Sequence, residues 1–132
     1  MVRLTAEIMD TLAAAKTAWL ATAANECTPN VVAVGAFRLL DDETLLVSDQ
    51  YFLKTLANLN ENPKVAFSWW GEKGGFQIKG TAEYHDDGPV FRENQEWMAA
   101  KHPKFIPKGA VTVRIAEVYA LKAGPDAGRK VL

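Results

Sequence analysis

The sequence predicts a mainly β fold: a six-stranded antiparallel barrel with helices packed against its outside. Three observations carry this expectation. Apolar, β-branched and aromatic runs recur along the chain, and short turn signals separate most of them. The segment Phe76 to Tyr84 alternates in period two, with Phe76, Ile78, Gly80, Ala82 and Tyr84 on one side and Gln77, Lys79, Thr81 and Glu83 on the other. Helical spacing is confined to three short stretches. These do not follow every strand, as the crossovers of a parallel sheet would require.

The elements follow in order. Leu4 to about Lys16 is a helix, with Thr5 as N-cap and Leu4 and Met9 at the positions of a hydrophobic staple. Ile8, Met9 and Leu12 give it one apolar face. Thr17 to Ala23 is a strand, and Asn25 to Pro29 a turn. Asn30 to Leu40 contains the run Val31-Val32-Ala33-Val34-Gly35-Ala36-Phe37 and reads as one strand. Such a run is buried on both faces, or has one face on a core and the other on a partner. Asp41-Asp42 turns the chain and Thr44 to Ser48 returns as a hairpin strand. Phe52, Leu56 and Leu59 set a helix over Tyr51 to Asn60, which ends before Pro63. Lys64 to Trp70 is a strand, Gly71 to Gly75 a flexible loop, and Phe76 to Tyr84 the next strand. Asp86-Asp87-Gly88-Pro89 starts a helix that runs to about Lys101. After a loop from His102 to Lys108, Ala110 to Leu121 is the last strand.

Composition limits what such a protein does. Its 132 residues are expected to form one domain over positions 1–132. Apolar residues are 48% and charged residues 23%, as in ordinary globular proteins. The net charge of −1 gives no basic surface for nucleic acid, and no partner of that kind is expected. A lone Cys27 closes no bridge within the chain, and with only His85 and His102 beside it builds no zinc site; no bound metal is expected. No window is apolar enough to span a membrane, and the start, Met1-Val2-Arg3-Leu4-Thr5, lacks a signal-peptide core. The expected location is the cytoplasm, with no membrane partner.

The strongest local chemical signal is Ser48-Asp49-Gln50-Tyr51-Phe52-Leu53-Lys54-Thr55. It sets a lysine and a threonine in the first turns of a helix after a strand. Free N–H groups and the positive dipole end suit an anion there, such as a phosphate. An exposed lysine and a capping threonine account for the same pattern without a ligand. Of Trp69 and Trp70, one faces the barrel interior and the other faces out. Trp19 and Trp97 read as packing residues, Trp19 in the core. Lys79 reads as solvated, His102 has no carboxylate partner in sequence, and Cys27 beside Glu26 is not an activated thiol. No acid–base pair, P-loop or nucleophile motif stands out, and no catalytic side chain is singled out.

Three stretches, in order, resemble the FMN-binding split β-barrel family related to pyridoxamine 5′-phosphate oxidase. They are Pro29 to Val34, then Leu46-Val47-Ser48 leading into Phe52-Leu53-Lys54-Thr55-Leu56-Ala57-Asn58, then Gly75 to Ala82. The Asp87-Gly88-Pro89 helix start fits as well, and the resemblance covers roughly residues 5 to 121. It is strongest to the short single-domain FMN-binding proteins. The resemblance implies a split barrel holding FMN, with Lys54 and Thr55 on the phosphate. It implies that Val47, Ser48 and Asp49 lie along the ring and ribityl chain. It further implies backbone contacts to the ring from Asn30, Val31, Val32, Ala33 and Val34. Because Val32 and Val34 are aliphatic, ring contacts there are backbone and apolar. The implied protein is a homodimer with the flavin at the subunit interface, acting as an oxidoreductase or electron-transfer protein. Its redox partner, small molecule or protein, is not named by the sequence, and the hydride or electron chemistry belongs to the cofactor. Two alternatives stay open: a relative using F420 or haem in the same barrel, and a barrel module without cofactor.

Overall fold

The alternating segments become a seven-stranded antiparallel sheet in the computed structural model, which describes residues 2–132. Met1, the first residue of the N-terminal run read above, lies outside the described residues. The elements are α1 (Ala6–Ala14), β1 (Ala18–Ala23), β2 (Pro29–Val34), β3 (Phe37–Leu39), β4 (Thr44–Asp49), α2 (Lys54–Glu61), β5 (Lys64–Trp69), β6 (Phe76–His85), α3 (Gly88–Lys101) and β7 (Gly109–Ala120). The strand order is β2-β1-β5-β6-β7-β4-β3, with every neighbouring pair antiparallel.

That order explains the shape. β2 and β3 are consecutive in the chain yet sit at opposite edges of the sheet, joined only by Gly35-Ala36. The sheet curls until its two edges approach. The Ser48 N–H on β4 donates to the Ala36 carbonyl at 3.0 Å, which extends the β3–β4 ladder onto the crossing. Here the sequence reading is corrected. The run from Asn30 to Leu40 is two strands, not one, so the sheet has seven strands rather than six. The chain must leave one edge and join the other, and Gly35-Ala36 is where it crosses.

A β-bulge between Lys79 and Gly80 bends the long β6–β7 ladder. A Cβ at Gly80 would run into the Arg114 carbonyl, so glycine is required where the two backbones close up.

The interior is apolar. Leu20, Phe67, Trp69, Ile78, Val111, Val113 and Val118 are fully buried, and Ile8 and Leu12 of α1 cover them. The Phe67 ring meets Phe37 edge-on at 5.4 Å and Trp69 at 5.9 Å. The indole Nε1 of Trp69 donates to Thr11 Oγ1 at 3.0 Å, which satisfies that buried donor. Thr5 caps α1 by accepting from the Ile8 N–H at 3.3 Å. Leu4 is buried beside a half-buried Met9, as the staple requires.

Of the tryptophan pair, Trp69 is the inward one and Trp70 faces out, in line with the alternation. Two further readings change. Trp19 is not in the core: it is 43% exposed, because Ala18, Leu20 and Thr22 take the inward positions of β1. On β2 the inward residues are Asn30, Val32 and Val34, while Val31 and Ala33 face away. α2 begins at Lys54, three residues later than its spacing suggests, since Phe52 is buried in the turn before it. Among the described residues no helix is long and apolar enough to cross a membrane.

Phe67→Ala should cost about 3–5 kcal/mol of stability, read from urea unfolding, because the ring is fully buried between two aromatic neighbours. A loss below about 1 kcal/mol would contradict a close-packed barrel interior.

Candidate functional site

A cavity of about 530 Å³ opens where the sheet's two edges meet. Its walls come from four places. The end of β2 and the crossing give Val32, Ala33, Val34, Gly35 and Ala36; the end of β4 gives Ser48. The turn into α2 gives Gln50 to Thr55, and the loop between α3 and β7 gives His102 and Phe105. The volume is that of a small-molecule site, for which about 300–1,000 Å³ is usual. A second hollow of about 670 Å³, lined by α1 and β3, meets the first at Gly35 and His102 but has no helix start in its wall.

The polar end of the cavity is the start of α2. Lys54 is exposed, and Thr55 is buried and lines the cavity. Asn30 Nδ2 donates to Thr55 Oγ1 at 3.0 Å. The Thr55 hydroxyl therefore keeps its own proton for a ligand. Asn30 also donates to Thr22 Oγ1 at 3.3 Å, and Asn58 donates to that same oxygen at 3.0 Å. These bonds pin α2 to β1 and β2. The backbone N–H groups of the first turn, which no side chain caps, the lysine charge and the threonine hydroxyl form one donor set, suited to an anion.

Beneath the turn lies a buried carboxylate. Asp49 is fully buried; it accepts from the Phe52 N–H at 2.8 Å and from the Tyr84 hydroxyl at 2.5 Å. The Lys108 ammonium stands 3.4 Å from its second oxygen and also donates to the Phe52 carbonyl at 2.6 Å. The Lys108 N–H donates to the Asp49 carbonyl at 2.8 Å. Both polar atoms of the Phe52 backbone are thus held. Gly109, opposite Asp49 in the β4–β7 ladder, has no room for a Cβ because the Tyr84 phenol fills that space. Burial, followed by the hydrogen bond to Asp49 and the negative charges of Asp49 and Asp86, pushes the Tyr84 hydroxyl well above its ordinary pKa of 10.0.

Of the ten residues assigned to the cofactor from sequence, the structure brings Val32, Ala33, Val34, Ser48, Lys54 and Thr55 to one cavity. It does not bring the other four to the wall. Val31 faces outward, Val47 is in the core, and Asn30 acts through Thr55. Asp49 points away to Tyr84 and Lys108. Sequence reasoning missed Gly35, Ala36, Gln50, Tyr51, Phe52, Leu53 and His102. The glycine inside the apolar run was a signal for the first two. His102 and Phe105 reach the site through the long-range tie of Lys108 to the turn, which no local pattern shows. The His102 ring packs edge-on against Trp97 at 5.5 Å. Among the described residues no cluster of three metal-ligating side chains occurs.

The sequence profile of the pyridoxamine 5′-phosphate oxidase family matches residues 4–122. A protein of Methanocaldococcus jannaschii with no assigned function is 41% identical over 134 residues, covering 99% of this chain and 89% of that protein. Among solved structures, HupZ of Group A Streptococcus superposes with a TM-score of 0.82 at 24% identity, covering 95% of this chain and 99% of HupZ. An FMN-binding protein of Syntrophomonas wolfei superposes with a TM-score of 0.70 at 18% identity, covering 89% and 88%. The fold is also that of an F420 reductase (TM-score 0.64, 20% identity, 87% and 98% covered) and of the haem storage protein HutZ of Vibrio cholerae (0.69, 18%, 90% and 95%). The chain belongs to the pyridoxamine 5′-phosphate oxidase family and has its split-barrel fold.

Tyr84→Phe should lower stability by about 1–3 kcal/mol, since it takes a donor from a buried carboxylate. The pH profile isolates the hydroxyl. Its folded pKa is raised, so above pH 10 the unfolded chain ionises first and stability falls as pH rises. Urea midpoints from pH 9 to 11.5 should fall more steeply for the wild type than for Tyr84→Phe. Parallel profiles would contradict the Asp49–Tyr84 bond.

Proposed function

We propose that this member of the family is a homodimeric flavoprotein that holds FMN in the cavity and serves as an oxidoreductase or electron-transfer protein. The observation that carries the reading is the donor set at the start of α2, Lys54 and Thr55 with the first-turn N–H groups, at one end of a mostly apolar cavity. FMN has the matching division, a phosphate at one end and an aromatic ring at the other. Lys54 and Thr55 would hold the phosphate, while Val32, Ala33, Val34, Ala36 and Phe52 would line the ring's apolar surroundings. When bound, the flavin supplies the hydride or electron chemistry. The chain's own part is to bind it, orient it and exclude water from one side. A cytoplasmic location belongs to the same reading, where the exposed Cys27 stays reduced.

The homodimer is argued from what the single chain leaves uncovered. Leu53, on the cavity wall, is 83% exposed beside the Tyr51–Phe105 ring pair, and Ile106, next to Phe105 in the chain, is 85% exposed. Val31 and Trp19 stand exposed on the outer face of β2 and β1. Apolar side chains grouped around a ligand cavity favour a second copy as their cover.

The purified protein should show flavin bands that stay with it through gel filtration after FMN is added. Lys54→Ala should weaken FMN by about tenfold or more and riboflavin far less, since a charge-assisted bond to phosphate is worth about 1.5–3 kcal/mol. Equal losses for both ligands would overturn the phosphate assignment. Retention of F420 or haemin in place of FMN would move the reading to those relatives, and retention of none to a cofactor-free module.

Light scattering should give a dimer mass for the wild type and a monomer mass for the double variant Leu53→Glu/Ile106→Glu. A monomeric wild type at micromolar concentration would remove the dimer from the proposal.

A further inference from the structure

Hydrogen-bond polarity can be followed outward from a buried amide to the cavity wall. Asn94, on α3, is fully buried. Its Nδ2 lies 2.9 Å from Ser48 Oγ and 3.5 Å from the Gly109 carbonyl oxygen. A carbonyl only accepts, so the amide nitrogen, not Oδ1, takes this position, and it donates to Ser48 as well. The Ser48 hydroxyl has one proton of its own, and it donates that proton to Gln50 Oε1. With the Gln50 amide turned over, Ser48 Oγ would face two NH₂ groups and its proton would lack that acceptor. The direction of the chain is therefore set from Asn94. The Gln50 oxygen is turned to Ser48, and its Nε2 keeps both protons with no protein partner among the described residues. Both Ser48 and Gln50 line the cavity.

We infer that Gln50 is a specificity-determining residue of the cavity, held by Asn94 through Ser48 as a hydrogen-bond donor that the ligand must meet with an acceptor oxygen or ring nitrogen. Thr55 is set the same way by Asn30, and Lys54 only donates. The polar wall then offers donors at three points, so it selects ligands bearing carbonyl, phosphoryl or imine-type acceptors and rejects those presenting amines. The inference rests on the flavin reading for the identity of the ligand, though not for the polarity of Gln50.

Two measurements test it, and they fail separately. The first is riboflavin and FMN binding to Gln50→Met and Gln50→Glu, followed by quenching of flavin fluorescence. Gln50→Met keeps the length and removes the donor, and should weaken both ligands about five- to tenfold. Gln50→Glu still accepts from Ser48 but turns an acceptor to the ligand. It should bind riboflavin, which carries no phosphate to repel it, more weakly than Gln50→Met does. Wild-type affinity in Gln50→Met, or tighter riboflavin binding by Gln50→Glu than by Gln50→Met, overturns the inference. The second is side-chain amide exchange in the ligand-free protein, with ¹⁵N signals assigned by the loss of one pair in Asn94→Asp and in Gln50→Glu. The Asn94 amide protons should be protected from D₂O and those of Gln50 should exchange as freely as exposed amides; the reverse pattern overturns the inference. If the wild-type protein holds no flavin, the FMN reading fails while the exchange pattern still decides the polarity of Gln50.

Discussion

Everything at the candidate site hangs on one buried carboxylate. Asp49 ends β4, and an unpaired carboxylate has no place in a site that is 0% exposed. It survives there because three donors converge on it from separate elements: the Phe52 N–H of the following turn, the Tyr84 hydroxyl of β6, and the Lys108 ammonium ahead of β7. Each donor contributes more than charge. The Phe52 bond sets where the turn goes and hence where α2 begins. The Tyr84 bond forces a glycine at position 109. The Lys108 tie draws in the loop that carries His102 and Phe105. The cavity wall is the sum of these placements, although Asp49 itself never reaches the cavity.

The second constraint is topological. Two consecutive strands on opposite edges of one sheet can be joined by two residues only if the sheet rolls up. Gly35 and Ala36 are small, and the crossing they make is also the floor of the cavity. The position of the cavity is thus a consequence of closure rather than a separate invention. The bulge at Gly80 supplies the bend that lets the long β6–β7 pair follow the curve.

These two constraints explain what could be read from the sequence and what could not. Local patterns located all three helices and the strands within a few residues, because period and caps are properties of neighbouring residues. Thr5 could be read as a cap and Pro89 as a helix start. The break at Gly35 was hidden, because an apolar run looks the same whether it stays in one strand or changes edge. Trp19 misled for a related reason. A large aromatic suggests burial, but the pleat assigns the inward side by position, and Ala18 and Leu20 had taken it. At the site, the start of α2 was legible as Lys54-Thr55. Asp49 was legible only as a residue near a ligand, since its partners lie 35 and 59 positions further along the chain.

Charge balance over the whole chain conceals a local arrangement. With a net charge of −1, no long-range field draws an anion in. On the proposed function, recognition comes from short-range donors whose direction is fixed before the ligand arrives. An amide or hydroxyl free to rotate would accept as readily as donate and would discriminate little. The structure fixes each by setting an amide behind it: the partly buried Asn30 behind Thr55, and the fully buried Asn94 behind Ser48 and Gln50. Asn94 even leaves its own Oδ1 without a partner. An orphan buried acceptor is costly, and a well-packed barrel could have used a leucine there instead. A polar residue in such a place is explained when its role is to set the polarity of the residues in front of it, so that a weakly charged protein meets its ligand with a wall of donors.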